Sequence, residues 1–319
     1  MMPPDARRNG SEMRICVAGA SGYVGSACAD VFAAVGWQVS GFSRRGGTTP
    51  GGLEVAACAD GNELKELLRQ TYPEVLLVAS GIADLDACER NSALGQQSNV
   101  GALAEWIGDI RSVCPSVLVV LLSSIYVFGD HCPPEGFCET DAPYPLSVYG
   151  RQKLQAEQML KATELRHLIV RLPWLIGNVM HPSDPVRQLW VRFLGGQTAV
   201  DDGLRFPTDV HWVAQSLCGL IRGGVEGVVH LSAAEPGSRY ELMAYLLGHC
   251  ATAPATPLLR KSSSEWLPED GRAPRPEYLK LGTCRPEVRG LPACPSWQQL
   301  ADRYAACLYG LAITAEQPT

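Results

Sequence analysis

Gly19-Ala20-Ser21-Gly22-Tyr23-Val24-Gly25 follows the apolar run Ile15-Cys16-Val17-Ala18 and leads into Ser26-Ala27-Cys28-Ala29-Asp30-Val31-Phe32. Glycine fills 32 of the 319 positions, so three glycines at intervals of three decide nothing by themselves. Their position decides more. An apolar strand ends where the turn begins, and a helix-forming stretch starts where it closes. At such a junction Gly19 permits a tight turn, Gly22 lets a pyrophosphate approach the backbone, and Gly25 lets the helix pack closely on the strand. Ser21, Tyr23 and Val24 complete the loop, whose helix N–H groups would face the phosphates.

Working outward, short apolar runs alternate with helix-length amphipathic stretches through the first half of the chain. Strands are expected at 14–18, 38–42, 54–58, 75–79, 116–123 and 167–172, and helices at 23–35, 62–71, 92–113 and 145–163. Continuous apolar strands separated by helices imply a parallel sheet covered on both faces, a Rossmann-type doubly wound α/β fold. After Pro173 the alternation gives way to tryptophan, proline, glycine and arginine. Helices are expected there at 185–194, 209–222, 239–250 and 296–311, a strand at 227–231, and loops through the proline-rich 251–295. The expected organisation is a dinucleotide-binding domain over 13–172, with part of 205–232 returning to it. A smaller, mostly helical lobe over 173–319 would bind substrate.

Composition excludes several classes of function. The net charge is −6 and no Lys/Arg block exceeds two residues, so neither nucleic acid nor an anionic membrane surface is an expected partner. Met1 to Met13 is polar and lacks a signal-like apolar segment, and no apolar run is long enough to span a bilayer, so a cytoplasmic protein is expected. The 12 cysteines form no CxxC pair and read as reduced, mainly buried thiols; no metal site is expected.

The second strand ends in Phe42-Ser43-Arg44-Arg45. An acidic residue near this point suits the ribose hydroxyls of NAD(H), whereas an arginine pair suits a 2′-phosphate through bidentate, charge-assisted bonds. NADP(H) is therefore favoured over NAD(H), with solvated loop arginines as the plain alternative. Asp60, after the third strand, would border the adenine or cap the next helix.

Tyr149-Gly150-Arg151-Gln152-Lys153 places a phenol and an ammonium four residues apart on one helix face, and no other tyrosine of the chain has a lysine at that spacing. The pair follows the fifth strand and Ser123-Ser124, at the sheet end where open α/β proteins bind ligands. Delivery of a hydride to a ketone builds negative charge on oxygen. A phenol, with an ordinary pKa of about 10, donates its proton there more readily beside a cation. Tyr149 would be the acid, Lys153 would tune it and hold the nicotinamide ribose, and Ser124 would orient the oxygen. The plain alternative is a surface Tyr/Lys pair supporting a helix.

On these residues the chain is identified as a member of the extended short-chain dehydrogenase/reductase superfamily. GASGYVG resembles its glycine turn, and Ser124, Tyr149 and Lys153 resemble its triad. The resemblance further implies that Val78-Ala79-Ser80-Gly81 runs past the cofactor. Within the superfamily the chain most resembles the dTDP-4-dehydrorhamnose reductase branch, through 81–89, Ser124-Ile125-Tyr126-Val127-Phe128-Gly129, PLSVYGRQKLQAEQ from Pro145, IVRLPWLIG from Ile169, 206–209 and 229–231. That likeness implies reduction of a nucleotide-linked 4-keto-6-deoxysugar or similar keto compound, with Trp174 near the sugar nucleotide, or else simply in the core.

One departure is Ile125, where the branch commonly has an acidic residue, and it leaves the substrate open. Ile125-Tyr126 also lacks the Asp–Glu pair of nucleotide-sugar dehydratases. An NAD-dependent 4-epimerase, a ketoreductase acting on a substrate without a nucleotide, and a non-catalytic NADP-binding regulatory subunit remain as alternatives. Analogy with the superfamily leaves a homodimer as one assembly to test.

Overall fold

The computed structural model describes residues 13–58, 61–196, 199–201, 203–250, 257–262 and 272–314. The glycine turn lies between β1 (Arg14–Ala18) and α1 (Tyr23–Ala34). Next come β2 (Gln38–Ser43), β3 (Gly47–Thr48), β4 (Glu54–Ala57), α2 (Gly61–Thr71) and β5 (Val75–Val78). Helices α3 (Leu85–Arg90), α4 (Ser92–Gln96) and α5 (Ala102–Val113) lead to β6 (Leu118–Ser124), α6 (Val148–Lys161) and β7 (His167–Leu172). The remaining elements are β8 (Leu175–Ile176), α7 (Pro185–Leu194), β9 (Ala199–Asp201), β10 (Thr208–Asp209), α8 (Val210–Arg222), β11 (Gly227–His230), α9 (Arg239–Gly248), β12 (Leu259–Lys261), α10 (Pro286–Arg289) and α11 (Trp297–Thr314).

Eight strands form one sheet in the order β11-β7-β6-β5-β1-β2-β4-β3. Every pairing is parallel except that of β3 with β4. Both faces are buried, which explains the continuous apolar runs: Ile15, Val17, Val75 and Leu77 face α1 and α8, while Cys16, Leu76, Val119 and Leu121 face α2, α5 and α6. From β1 the chain winds out to β2 on one side, then returns to β5 on the other. The crevice at this reversal, over the carboxyl ends of the strands, is where an open α/β sheet takes a ligand. A separate apolar cluster joins α7, α9 and α11 through Trp190, Phe193, Leu242, Met243, Leu246, Leu300 and Tyr304.

Several local expectations change. The helix expected over 92–113 is interrupted by a wide π-helical turn at Gln97–Gly101. The helix expected from 145 begins at Val148, because Ser147 is extended and its hydroxyl accepts the Gly150 N–H at 3.1 Å. Leu85–Arg90 is helical, capped by Asp84, and the stretch expected as loop contains β12 and α10. Among the described residues no helix is long and apolar enough to cross a membrane.

Candidate functional site

At the glycine turn the backbone is tied back on itself. The N–H groups of Gly19 and Ala20 donate to the Phe42 carbonyl at 2.8 and 3.2 Å, fixing the turn to the end of β2. Gly19 has φ +81°, and a Cβ there would lie 2.8 Å from Ser80 N, so the loop after β5 passes directly against it. A Cβ on Gly25 would collide with the Gly19 carbonyl. Gly22 leads into α1 without any side-chain cap, leaving the helix N-terminus to whatever lies in the crevice. These features fit a dinucleotide: glycines let the turn fold tightly against the main chain of Ser80 and Gly19, and the uncapped helix end suits a phosphate.

Ser43 closes the β2 end through its hydroxyl, which donates to the Gly46 carbonyl at 3.2 Å. Arg44 and Arg45 follow it, and both are exposed. Asp60 lies outside the described residues.

Beside the turn, Gly81 has φ +137°, and the next residue is held by an amide that sequence reading missed. Asn99, on the π-helical turn, accepts the Ile82 N–H at 2.8 Å and donates to the Ile82 carbonyl at 3.2 Å and to Gln152 Oε1 at 2.9 Å. Ala79-Ser80-Gly81 is thereby linked to the helix that carries Tyr149 and Lys153.

Ser124 ends β6, and Tyr149 and Lys153 lie on the first turns of α6. Gly150 lets these approach, since a Cβ on it would collide with the Tyr126 carbonyl. Ser124 lies close enough to the Tyr149 phenol to act on its proton affinity. Burial pushes the Tyr149 phenol above its usual range, against the opposing effect of Ser124, so it is a protonated donor at neutral pH. The Lys153 ammonium donates to the Leu122 carbonyl at 2.9 Å and lies 6.0 Å from the centre of the Tyr149 ring. Burial brings its pKa down to about 8, with Glu157 opposing. Behind it, fully buried Glu157 accepts Ser123 Oγ at 2.5 Å and Arg171 Nε and Nη2 at 2.9 and 2.8 Å.

Across the cleft, Tyr126 stands edge-on to Tyr149 at 6.3 Å. Arg239 has Tyr126, Asp201, Arg205 and Arg275 as electrostatic neighbours, and Arg275 has Tyr126, Asp86 and Asp201. Arg275 is held by Asp86 at 2.8 Å, whereas Arg205 reaches Asp201 only at 3.8 Å. The Arg239 guanidinium lies 5.3 Å over the Trp174 ring, and burial lowers its pKa. Among the described residues Trp174 Nε1 and Arg205 Nη2 are buried with no hydrogen-bond partner. Donors without acceptors beside clustered guanidiniums suit an anionic, oxygen-rich ligand. None of the three arginines carries a sequence motif, so only the fold brings them together.

The family model described as the RmlD substrate binding domain matches residues 13–309. The chain belongs to this family. A dTDP-4-dehydrorhamnose reductase of Mycolicibacterium smegmatis is 26% identical over 98% of the chain and 91% of its own length. Methionine adenosyltransferase 2 subunit beta of Rattus norvegicus is 26% identical over 87% of the chain and 83% of its own length. Among solved structures, dTDP-4-dehydrorhamnose reductase of Bacillus anthracis, in complex with NADP, superposes with a TM-score of 0.75 at 20% identity, covering 93% of this chain and 99% of that one. UDP-glucose 4-epimerase of Thermus thermophilus, in complex with NAD, gives 0.76 at 18% identity over 93% and 99%. These structures share the fold with the present chain.

Proposed function

We propose that this protein is an NADP(H)-dependent oxidoreductase that reduces a nucleotide-linked 4-keto-6-deoxysugar or a similar keto compound. The observation that carries the reading is the Tyr149–Lys153 pair one helical turn apart, the ammonium 6.0 Å from the phenol ring centre and Ser124 acting on the phenol, together with the uncapped glycine turn. Residues 13–172, joined by part of 205–232, would hold the cofactor, and 173–319 mainly the substrate. Gly19 to Gly25 would cradle the pyrophosphate, Ser43, Arg44 and Arg45 the 2′-phosphate end, and Ala79-Ser80-Gly81 the middle of the dinucleotide.

When bound, a reduced nicotinamide would supply a hydride to the ketone carbon. Ser124 holds the ketone oxygen, and Tyr149 transfers its phenolic proton to that oxygen, so the carbonyl gains one hydride and one proton and leaves as an alcohol. Lys153 holds the ribose and, as a cation, eases loss of the phenolic proton; solvent then restores that proton. Trp174, Arg205, Arg239 and Arg275 would receive the nucleotide diphosphate. The NADP complex of the Bacillus anthracis reductase supports the cofactor assignment, and the reductase relative supports the substrate class.

The test is fluorescence titration of the purified protein with NADPH and NADH, followed by a panel of 4-keto nucleotide sugars with the bound cofactor. Tighter NADPH binding, with oxidation on one panel member, is the expected result; binding of neither cofactor overturns the reading. The methionine adenosyltransferase relative, named as a subunit, favours a second reading as a non-catalytic NADP-binding partner. NADPH binding without turnover, together with a stable complex with an unrelated enzyme, would select it.

A further inference from the structure

The Tyr23 hydroxyl, from within the glycine turn, donates to Asp184 Oδ2 at 3.0 Å across 161 residues of chain. Asp184 has no solvent exposure. Its Oδ1 accepts the Val186 and Arg187 N–H groups at 3.0 and 2.9 Å, capping α7, and its Oδ2 also accepts the Tyr304 hydroxyl at 2.6 Å. Tyr304 in turn accepts the Gly177 N–H at 2.5 Å, and Tyr23 accepts that of Asn178 at 3.4 Å. His181 packs edge-on against Tyr23 with ring centres 5.7 Å apart. Its Nδ1 accepts the Ser183 N–H at 3.0 Å, which leaves Nε2–H to donate to the Ser21 carbonyl at 3.4 Å. Two residues of the turn are thus fastened to the segment 177–187.

Capping α7 needs only Oδ1, so the two phenols on Oδ2 serve another end. A buried carboxylate is costly unless its lone pairs are filled, and these four donors fill them. Burial beside the carboxylate raises both phenols above their usual range, which keeps them donors around neutrality. Gly177 directly follows β8, and β8 directly follows Trp174, the residue under Arg239. The turn and the substrate side of the cleft are therefore joined by a continuous hydrogen-bonded and covalent path.

We propose that Tyr23 and Asp184 are positioning residues that couple the two ends of the site: a dinucleotide phosphate seated on the glycine turn fixes Tyr23 and thereby orders 174–187 for the substrate. The inference rests on the reading of the turn as a dinucleotide site. Linkage makes such coupling reciprocal, so substrate would tighten the cofactor by the same factor.

The experiment is hydrogen exchange by mass spectrometry on the whole protein, with and without saturating NADP+, for wild type, Tyr23→Phe and Asp184→Asn. Tyr23→Phe removes one hydroxyl. Asp184→Asn keeps an oxygen to cap α7 while replacing the Oδ2 acceptor with an amide that cannot accept, so the inference stands on either variant that folds. In wild type NADP+ is expected to slow exchange at least fivefold in both 19–25 and 174–187; in the variants protection of 19–25 persists and that of 174–187 is lost. A general structural role would change exchange without NADP+ and leave the NADP+-dependent difference intact. Protection of 174–187 in the variants equal to wild type overturns the coupling, as does its absence in wild type when 19–25 is protected. Protection of neither segment overturns the reading of the turn, and the coupling with it.

Discussion

The proposed nucleotide side and the proposed substrate side of the cleft are built by opposite means. On the first, seven consecutive residues and the nearby loop after β5 do the work with backbone, and glycines are there because a Cβ would meet the Gly19 or Ser80 main chain. On the second, side chains arrive from separate segments: Tyr126 after β6, Trp174 after β7, Arg205 before β10, Arg239 at the start of α9, and Arg275 in the chain beyond β12. Backbone recognition suits a ligand shared by many proteins, because it depends on a local turn and little else. Side-chain recognition suits the part that must differ from one protein to the next, and dispersed positions can vary independently.

Tyr149 lies on the seam between the two sides, and its substitution gives the largest expected effect. Tyr149→Phe should lower kcat by about 10²–10⁴, the usual worth of a positioned acid, while the Kd for NADPH from fluorescence titration changes by less than about twofold. A larger change in cofactor affinity than in turnover would put Tyr149 on the nucleotide side and break the comparison.

Arg239→Ala sharpens the comparison from the other side. Losing a hydrogen bond to a charged group costs about 1.5–3 kcal/mol, so steady-state kinetics should show KM for a nucleotide-sugar ketone rising about 10- to 100-fold, with kcat and NADPH affinity little changed. A fall in kcat at unchanged KM would instead mean that Arg239 acts at the reacting carbonyl.

The same contrast explains what the sequence revealed. The glycine turn and the Tyr149/Lys153 spacing were legible because each is set by local geometry: a strand-to-helix junction and one helical turn. The parallel sheet was legible because strands buried on both faces have to be apolar throughout. Asn99 was not, since an isolated amide inside a helix-length stretch looks like any other, and only the π-helical turn aims it at Ile82. Asp184 reads as a helix cap before Pro185, and half of its carboxylate is one; the other half is spent on Tyr23 and Tyr304, which no spacing rule connects. Glu157 and Arg171 fall within stretches that carry the family likeness, but their buried pairing emerges only when α6 packs beside β7.

The smallest effect concerns stability and tests what the seam costs the fold. Burial lowers Lys153 from the usual lysine value of 10.5 to about 8, so its native pKa lies below its unfolded one. Below about 8 both states are charged and the full burial penalty is present. Between about 8 and 10.5 the native state has lost its proton while the unfolded chain keeps it, so stability rises with pH; above that window the penalty is gone. Lys153→Met removes the buried charge and also the bond to the Leu122 carbonyl, so a net gain of about 1–2 kcal/mol is expected at pH 7, shrinking toward zero or below near pH 10. Thermal melts of the two proteins at both pH values check this, and turnover of the variant should collapse. A variant less stable at pH 7 than at pH 10, relative to wild type, would mean that Glu157 and Leu122 more than offset the burial of the ammonium. Lys153 would then be part of the scaffold. The expected result, a more stable and inactive protein, means that the charge is held in the cleft for the chemistry, at a cost carried by the rest of the fold.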